Sequence, residues 1–120
     1  MKIAFTGGRD YKDLNKVLLI VRTCHSENEF LVGDCPTGLD KLVAECLIDT
    51  ELGTYNYLNE QTNVTVFKAD WNKHGKAAGP IRNGEMLKDA DMLIAFPGGR
   101  GTEDCIRQAK KKGIPVLRVE

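Results

Sequence analysis

Apolar residues fall along this chain in two alternating rhythms. Lys2–Thr6 (KIAFT) is a nearly continuous apolar run and predicts a buried strand ending at Gly7-Gly8. Leu14, Val17, Leu18 and Val21 recur at three- and four-residue spacing, which predicts a helix over about 13–24. Phe30-Leu31-Val32 reads as a second strand, stopped by Gly33-Asp34. Leu39, Leu42, Val43, Cys46 and Leu47 form the stripe of a second helix, opened by Pro36-Thr37-Gly38 and closed near Gly53. Residues 54–62 are polar and predict a loop, and Val64–Ala69 alternates as a third strand.

The segment from Asp70 to Pro80 (DWNKHGKAAGP) holds two glycines among polar residues. It predicts a loop of about eleven residues, long enough for a functional role. Pro80 suits the first turn of a helix running through Met86 to about Ala90. Met92–Phe96 is the most apolar strand and ends at Pro97-Gly98-Gly99-Arg100-Gly101. Thr102 is placed to cap a last helix that carries Ile106 and Ala109 and ends at Gly113 after three lysines. Pro115–Val119 closes the chain as a fifth strand.

Strands that alternate with helices imply parallel pairing with helices on both faces. The expectation is an α/β, Rossmann-like three-layer sandwich in one domain over residues 1–120. Its five-stranded parallel sheet takes the order 3-2-1-4-5, because the first and fourth strands have the most glycine-rich ends. Every glycine cluster or unusual loop follows a strand, so all of them fall on one edge of the sheet. Ligands of such sheets bind at that edge.

Composition adds boundaries. At 120 residues, 42% hydrophobic and 28% charged, the chain has an ordinary globular make-up. No apolar run approaches the ~20 residues of a membrane span, and Met1–Phe5 enters a strand pattern directly, so no signal peptide and a cytoplasmic location are expected. Net charge is zero, which disfavours a general nucleic-acid binder. The distribution is uneven: residues 26–62 carry one basic and eight acidic groups, while both ends are basic. The cysteines at 24, 35, 46 and 105 form no CxxC, and His25 and His74 are isolated. Reduced thiols in or near the core are expected, with no metal.

The loops carry the candidate chemistry. PGGRGT lets backbone amides approach an anion at a helix start, with Arg100 adding a charge-assisted contact and Thr102 a hydroxyl. The competing explanation is a tight turn whose glycines serve positive φ angles. Neither GxxxxGK nor GxGxxG is present, so nicotinamide or flavin oxidoreduction is not expected and no cofactor is assigned. Arg9, after Gly7-Gly8, is a second anion partner or a local ion pair with Asp10 or Asp13. Asp34 follows the second strand, where acids accept from ribose hydroxyls, whereas Asp40 reads as serving its helix N-terminus. Trp71 can stack on a base or plug the core rim, with Lys73, His74 and Lys76 meeting phosphates or solvent. Arg82, Asn83 and Glu85 share the short helix after the third loop, Arg82 close to the edge.

Taken together, TGGRDY, GDCPTGLD, ADWNKHGKAAGPIRN with Met86, AFPGGRGT and GIPV resemble the SLOG superfamily of Rossmann-like domains. That superfamily includes DNA-processing proteins and the Lonely Guy phosphoribohydrolases. The likeness covers nearly the whole chain and is closest to the YspA/YpsA-related branch, small proteins often found in bacteria and phages. It implies a site for nucleotides, nucleotide-derived ligands or nucleic acid at the strand ends. In the phosphoribohydrolases an Arg-Lys-x-x-x-Met-like helix and a PGGxGTxxE loop supply the working groups. Here Arg82 is kept and Asn83 stands in place of the lysine, while the loop glutamate falls on Cys105. A thiol cannot replace that carboxylate, so hydrolysis would need Glu103, Asp34 or Glu85 to compensate.

The resulting expectation is a binding module for a nucleotide-derived small molecule, ADP-ribose-like or a cyclic nucleotide signal, acting as a sensor or sequestering protein. Its ligand residues are Gly7, Gly8, Arg9, Asp34, Trp71, Lys76, Arg82, Asn83, Gly98, Gly99, Arg100, Gly101 and Thr102. The alternative is an N-ribosyl hydrolase using Arg82, Glu85, Glu103 or Asp34, and a third is a single-stranded nucleic-acid binder. A homodimer or higher oligomer is expected, since a neighbour would complete a shallow cleft.

Overall fold

Five parallel strands form the middle layer of the computed structural model, in the order β3-β2-β1-β4-β5. The structure describes residues 1–23, 28–47 and 63–120. The strands are β1 (Lys2–Thr6), β2 (Glu29–Gly33), β3 (Asn63–Phe67), β4 (Met92–Ala95) and β5 (Val116–Arg118). Helices α1 (Leu14–Thr23) and α2 (Gly38–Leu47) cover one face, and α4 (Ala78–Leu87) and α5 (Arg100–Lys111) cover the other. A four-residue helix, α3 (Trp71–His74), and a 3₁₀ turn over Gly75–Ala77 precede α4. The expected fold class and strand order are those observed.

Successive side chains of a strand point to opposite faces, and here the two faces receive different residues. Ile3, Phe5, Phe30, Val32, Ile94 and Phe96 pack toward α1 and α2. Ala4, Leu31, Leu93 and Ala95 pack toward α4 and α5. Phe5, Phe30 and Phe96 are buried on the first face, each stabilising the fold by about 1.5–3 kcal/mol. Phe5 and Phe30 lie 5.7 Å apart between ring centroids, and Tyr11 meets Phe96 edge-on at 5.2 Å. Cys46 and Cys105 are buried, and burial pushes the Cys46 thiol up to about 12.

The third loop is largely helical, which corrects the expectation for Asp70–Pro80. The Asp70 carboxylate accepts from the Lys73 amide at 3.0 Å and caps α3. Gly75, at φ 56°, ends that helix, and its amide donates to the Trp71 carbonyl. The next helix begins at Ala78, with Pro80 in its first turn. Local capping thus organises a stretch whose composition reads as irregular. The expected cap at Thr102 is also corrected: Gly99 takes the N-cap position of α5, so Thr102 falls on the third helical residue and is buried. The expected helix end near Gly53, the 54–62 loop, Cys24 and His25 lie outside the described residues. No helix among the described residues is long and apolar enough to cross a membrane.

Gly38 fixes how α2 meets β1. It has φ 72°, and the following amide, Leu39, donates to the Gly8 carbonyl at 3.0 Å. A Cβ at Gly38 would collide with the Gly8 carbonyl oxygen and the Arg9 backbone. Gly38→Ala should therefore lose about 2–4 kcal/mol, strain and overlap together. Gly113→Ala, at φ 76° in open space, should lose only the strain of about 1–2 kcal/mol. Urea unfolding of the two variants measures the difference.

Candidate functional site

The loops that follow β1 and β4 lie side by side at the carboxyl edge of the sheet. The Gly8 amide donates to the Pro97 carbonyl at 2.9 Å, and the Phe96 amide to the Thr6 carbonyl at 2.8 Å. A side chain on Gly8 would stand 3.0 Å from the Gly98 Cα, and one on Gly98 would stand 2.6 Å from the Gly8 nitrogen. The two backbones can approach this closely only because both residues are glycine. Between these loops opens a cleft of about 530 Å³.

Its walls come from the ends of β1, β2 and β4 and from helices α2, α4 and α5. Gly7, Gly8, Arg9 and Asp10 line one side, and Gly98 to Thr102 the other. Phe5, Thr6 and Met86 lie at the base, with Gly33, Cys35, Asp40, Arg82 and Asn83 toward β2. Among the described residues, the buried polar side chains are Thr6, Asp40, Asn83 and Thr102, and all four line this cleft. Burying polar groups costs free energy, so their convergence marks the cleft more sharply than its volume does. Past Arg9 and Asp10 it continues into a shallower groove of about 400 Å³ that includes Lys12 and Lys41.

The glycine loop forms the start of α5. Gly99, at φ −98°, has no side chain to cap the helix, and its carbonyl accepts from the Glu103 amide at 3.0 Å. The first-turn amides of a helix have no intrahelical acceptor and carry its positive dipole end. Here the residues of that first turn line the cleft, with Arg100 exposed among them. The described positive-φ glycines are Gly38, Gly75 and Gly113, none of them in this loop. Positive φ angles therefore do not account for Gly98, Gly99 and Gly101.

A chain of polar contacts ties the loop to β2. Arg82 Nη1 donates to Asp34 Oδ1 at 2.9 Å, and the Ala69 amide donates to the same oxygen at 3.3 Å. Arg82 Nε donates to Asn83 Oδ1 at 3.1 Å. Asn83 Nδ2 in turn donates to the Gly101 carbonyl at 3.3 Å and to Asp104 Oδ2 at 3.2 Å. Most of Arg82 and Asn83 is thus committed to holding the site together.

The sequence candidates divide accordingly. Gly7, Gly8, Arg9, Arg82, Asn83, Gly98, Gly99, Arg100, Gly101 and Thr102 come together around the cleft. Asp34 sits behind Arg82, outside the lining. Trp71 is 54% exposed, against Gly79 on α4, and Lys76 is exposed in the 3₁₀ turn. Glu85 is exposed on α4, and Glu103 pairs with Arg118 at 3.4 Å. Cys105 is fully buried beneath the base, its thiol pushed up to about 11 by burial while the Thr6 hydroxyl bond pulls the other way.

Asp40 is the buried acid of the cleft lining, and it also stands at its helix start as expected. It lies in the first turn of α2, yet its Oδ2 accepts from the Cys35 amide at 3.2 Å in the preceding loop. The signal was present in the sequence: Asp40 precedes Val43 by three residues and so falls on the buried stripe of its helix. Burial raises its pKa above the ordinary 3.8, partly offset by the Cys35 amide and Arg82. Below that ordinary value the carboxyl is protonated whether the chain is folded or not. As pH rises, the unfolded chain releases the proton first, so native stability is lost until folded Asp40 ionises too. Asp40→Asn keeps an acceptor for Cys35 and escapes this loss. Its melting temperature should exceed that of the native protein by about 2–5 °C at pH 7, and the two should converge near pH 3. Thermal melts across that range test the sign.

No family model matches the chain. The chain is similar to the Gene 61 protein of Mycobacterium phage D29, 52% identical over 63 residues, which cover 48% of this chain and 50% of the phage protein. It thus spans about half the length of the curated relative it matches, and that relative is a phage gene product whose name states no activity.

Proposed function

We propose that this chain is a binding module for a phosphate-bearing, nucleotide-derived small molecule, ADP-ribose-like or a cyclic nucleotide signal, and acts as a sensor or sequestering protein. The observation that carries this reading is the start of α5: an N-terminus without a side-chain cap, opening beside Arg100 onto a cleft that gathers the buried polar side chains. Backbone amides and a guanidinium at such a position suit a phosphate. The groove beyond Arg9, with Lys12 and Lys41, gives a longer ligand a second place to rest. The strand order and the glycine loop also support placing the chain with the SLOG domains it resembles.

Binding is favoured over N-ribosyl hydrolysis by the state of the candidate acids. Cys105 is a buried thiol with a pKa near 11 and supplies no carboxylate. Glu103 is turned to Arg118, Glu85 lies on an exposed face, and Asp34 is occupied by Arg82. A nucleic-acid reading loses its stacking residue, because Trp71 lies outside the cleft lining.

Calorimetry with ADP-ribose and nucleoside monophosphates should detect binding, and chromatography of the same mixtures should show no released base. Arg100→Ala should weaken binding about ten- to a hundredfold and leave the melting temperature unchanged, since Arg100 is exposed. Gly99→Ala should also weaken binding while preserving the fold, because nothing lies within 4 Å of a Cβ there. Undiminished affinity in Arg100→Ala would move the anion site elsewhere, and base release would make the protein a hydrolase.

A further inference from the structure

The nucleotide reading above is the footing for one deeper assignment. We propose that Asp40 is the ribose-reading residue of the cleft: a carboxylate oxygen accepts from the 2′-hydroxyl of a bound ribosyl group, so the site selects ribo- over 2′-deoxyribo-ligands.

Asp40 is 9% exposed and is the buried carboxylate among the residues lining the cleft. Its Oδ2 accepts one backbone amide, from Cys35, and no described group donates to Oδ1. Among the described residues, no ion pair within 4.0 Å neutralises it. Arg82 lies nearby, but its Nη1 is engaged at 2.9 Å by Asp34. A buried charge with spare acceptor capacity costs stability, and a donor brought by a ligand would recover part of that cost.

In sheets of this kind the acid that meets a ribose hydroxyl stands at the end of β2. By sequence position that is Asp34, the residue directly after the strand. Its occupied oxygen, shared by Arg82 and the Ala69 amide, ties it to α4 and the end of β3. Asp40 reaches the same strand end from α2. A Cβ on Gly33 would stand 2.7 Å from Asp40 Oδ2, so this glycine leaves the space in which the carboxylate sits.

Charge then orients the ligand. Phosphate is drawn to the α5 start and Arg100 beside β4, and repelled from Asp40 beside β2. β2 and β4 flank β1, so their ends are about 10 Å apart, a span that a phosphoribosyl group and its hydrogen bonds fill. A neutral hydroxyl-bearing sugar is the part of a nucleotide that suits the β2 side.

The test uses the four ribonucleoside 5′-monophosphates and ADP-ribose as probes, each beside its 2′-deoxy counterpart, with calorimetry on the native protein, Asp40→Ala and Asp40→Asn. The native protein should bind at least one ribo-probe about tenfold more tightly than its deoxy partner. Asp40→Ala should abolish that ratio. Asp40→Asn, whose neutral amide makes a weaker bond, should reduce it, which keeps the assignment testable if the alanine variant fails to fold. Equal affinities for both series in the native protein, or a ratio unchanged in the variants, overturns the ribose assignment and leaves the nucleotide reading standing. Failure of both series to bind overturns the nucleotide reading, and the assignment falls with it.

Discussion

Gly8 and Gly98 meet backbone to backbone where β1 and β4 end, with the Gly8 amide bonded to Pro97 at 2.9 Å. Here the connections leave the sheet in opposite directions, β1 toward β2 and β4 toward β5. The helices that follow these strands therefore diverge, α1 to one face and α5 to the other. A cleft between the loops is a consequence of that divergence. Contact between the two glycines decides its width. A side chain at either would part the loops, carrying the α5 start away from Arg9 and the β1 end.

The apolar layers make this arrangement affordable to the fold. Large residues, among them three phenylalanines, fill the α1/α2 face, while Ala4 and Ala95 lie on the α4/α5 face. Small side chains there bring α4 and α5 close to the sheet, and Asn83 of α4 reaches the Gly101 carbonyl and Asp104 of α5. Packing on one face thus sets the position of the glycine loop on the edge. The same contacts explain why Arg82 serves as a brace: its guanidinium joins α4 to the β2 end through Asp34.

Stability and polarity are opposed in this cleft. Thr6, Asp40, Asn83 and Thr102 are buried where apolar residues would be cheaper to bury. Three of them are neutral, and Asp40 is the exception, an acid whose ionisation is resisted by burial and only partly offset by the Cys35 amide and Arg82. Cys105 shows the opposite choice, a group of low polarity sealed beneath the base.

The sequence alone determined the layers. Apolar runs at 2–6, 30–32 and 92–96 are buried strands because their composition leaves no solvent face, and three- and four-residue spacing sets α1, α2 and α5. The order of the sheet was legible too, since the two glycine-rich strand ends must meet at the reversal. Much of the cleft lining followed from the same glycines. Tertiary structure decided the rest, for a physical reason common to each case. That Asp40 and not Asp34 lines the cleft goes with the ion pair of Asp34 to Arg82, 48 residues away in the chain. Glu103 is drawn off by Arg118, which arrives only when β5 joins the sheet. Asp70 makes a helix of an apparent loop by accepting from the Lys73 amide through its carboxylate, and the placement of that helix on α4 leaves Trp71 outside the cleft. Hydrophobic periodicity is a local property and survives in one dimension. The partner of a charged side chain is chosen by whatever the fold brings within about 4 Å, and no spacing along the chain encodes that choice.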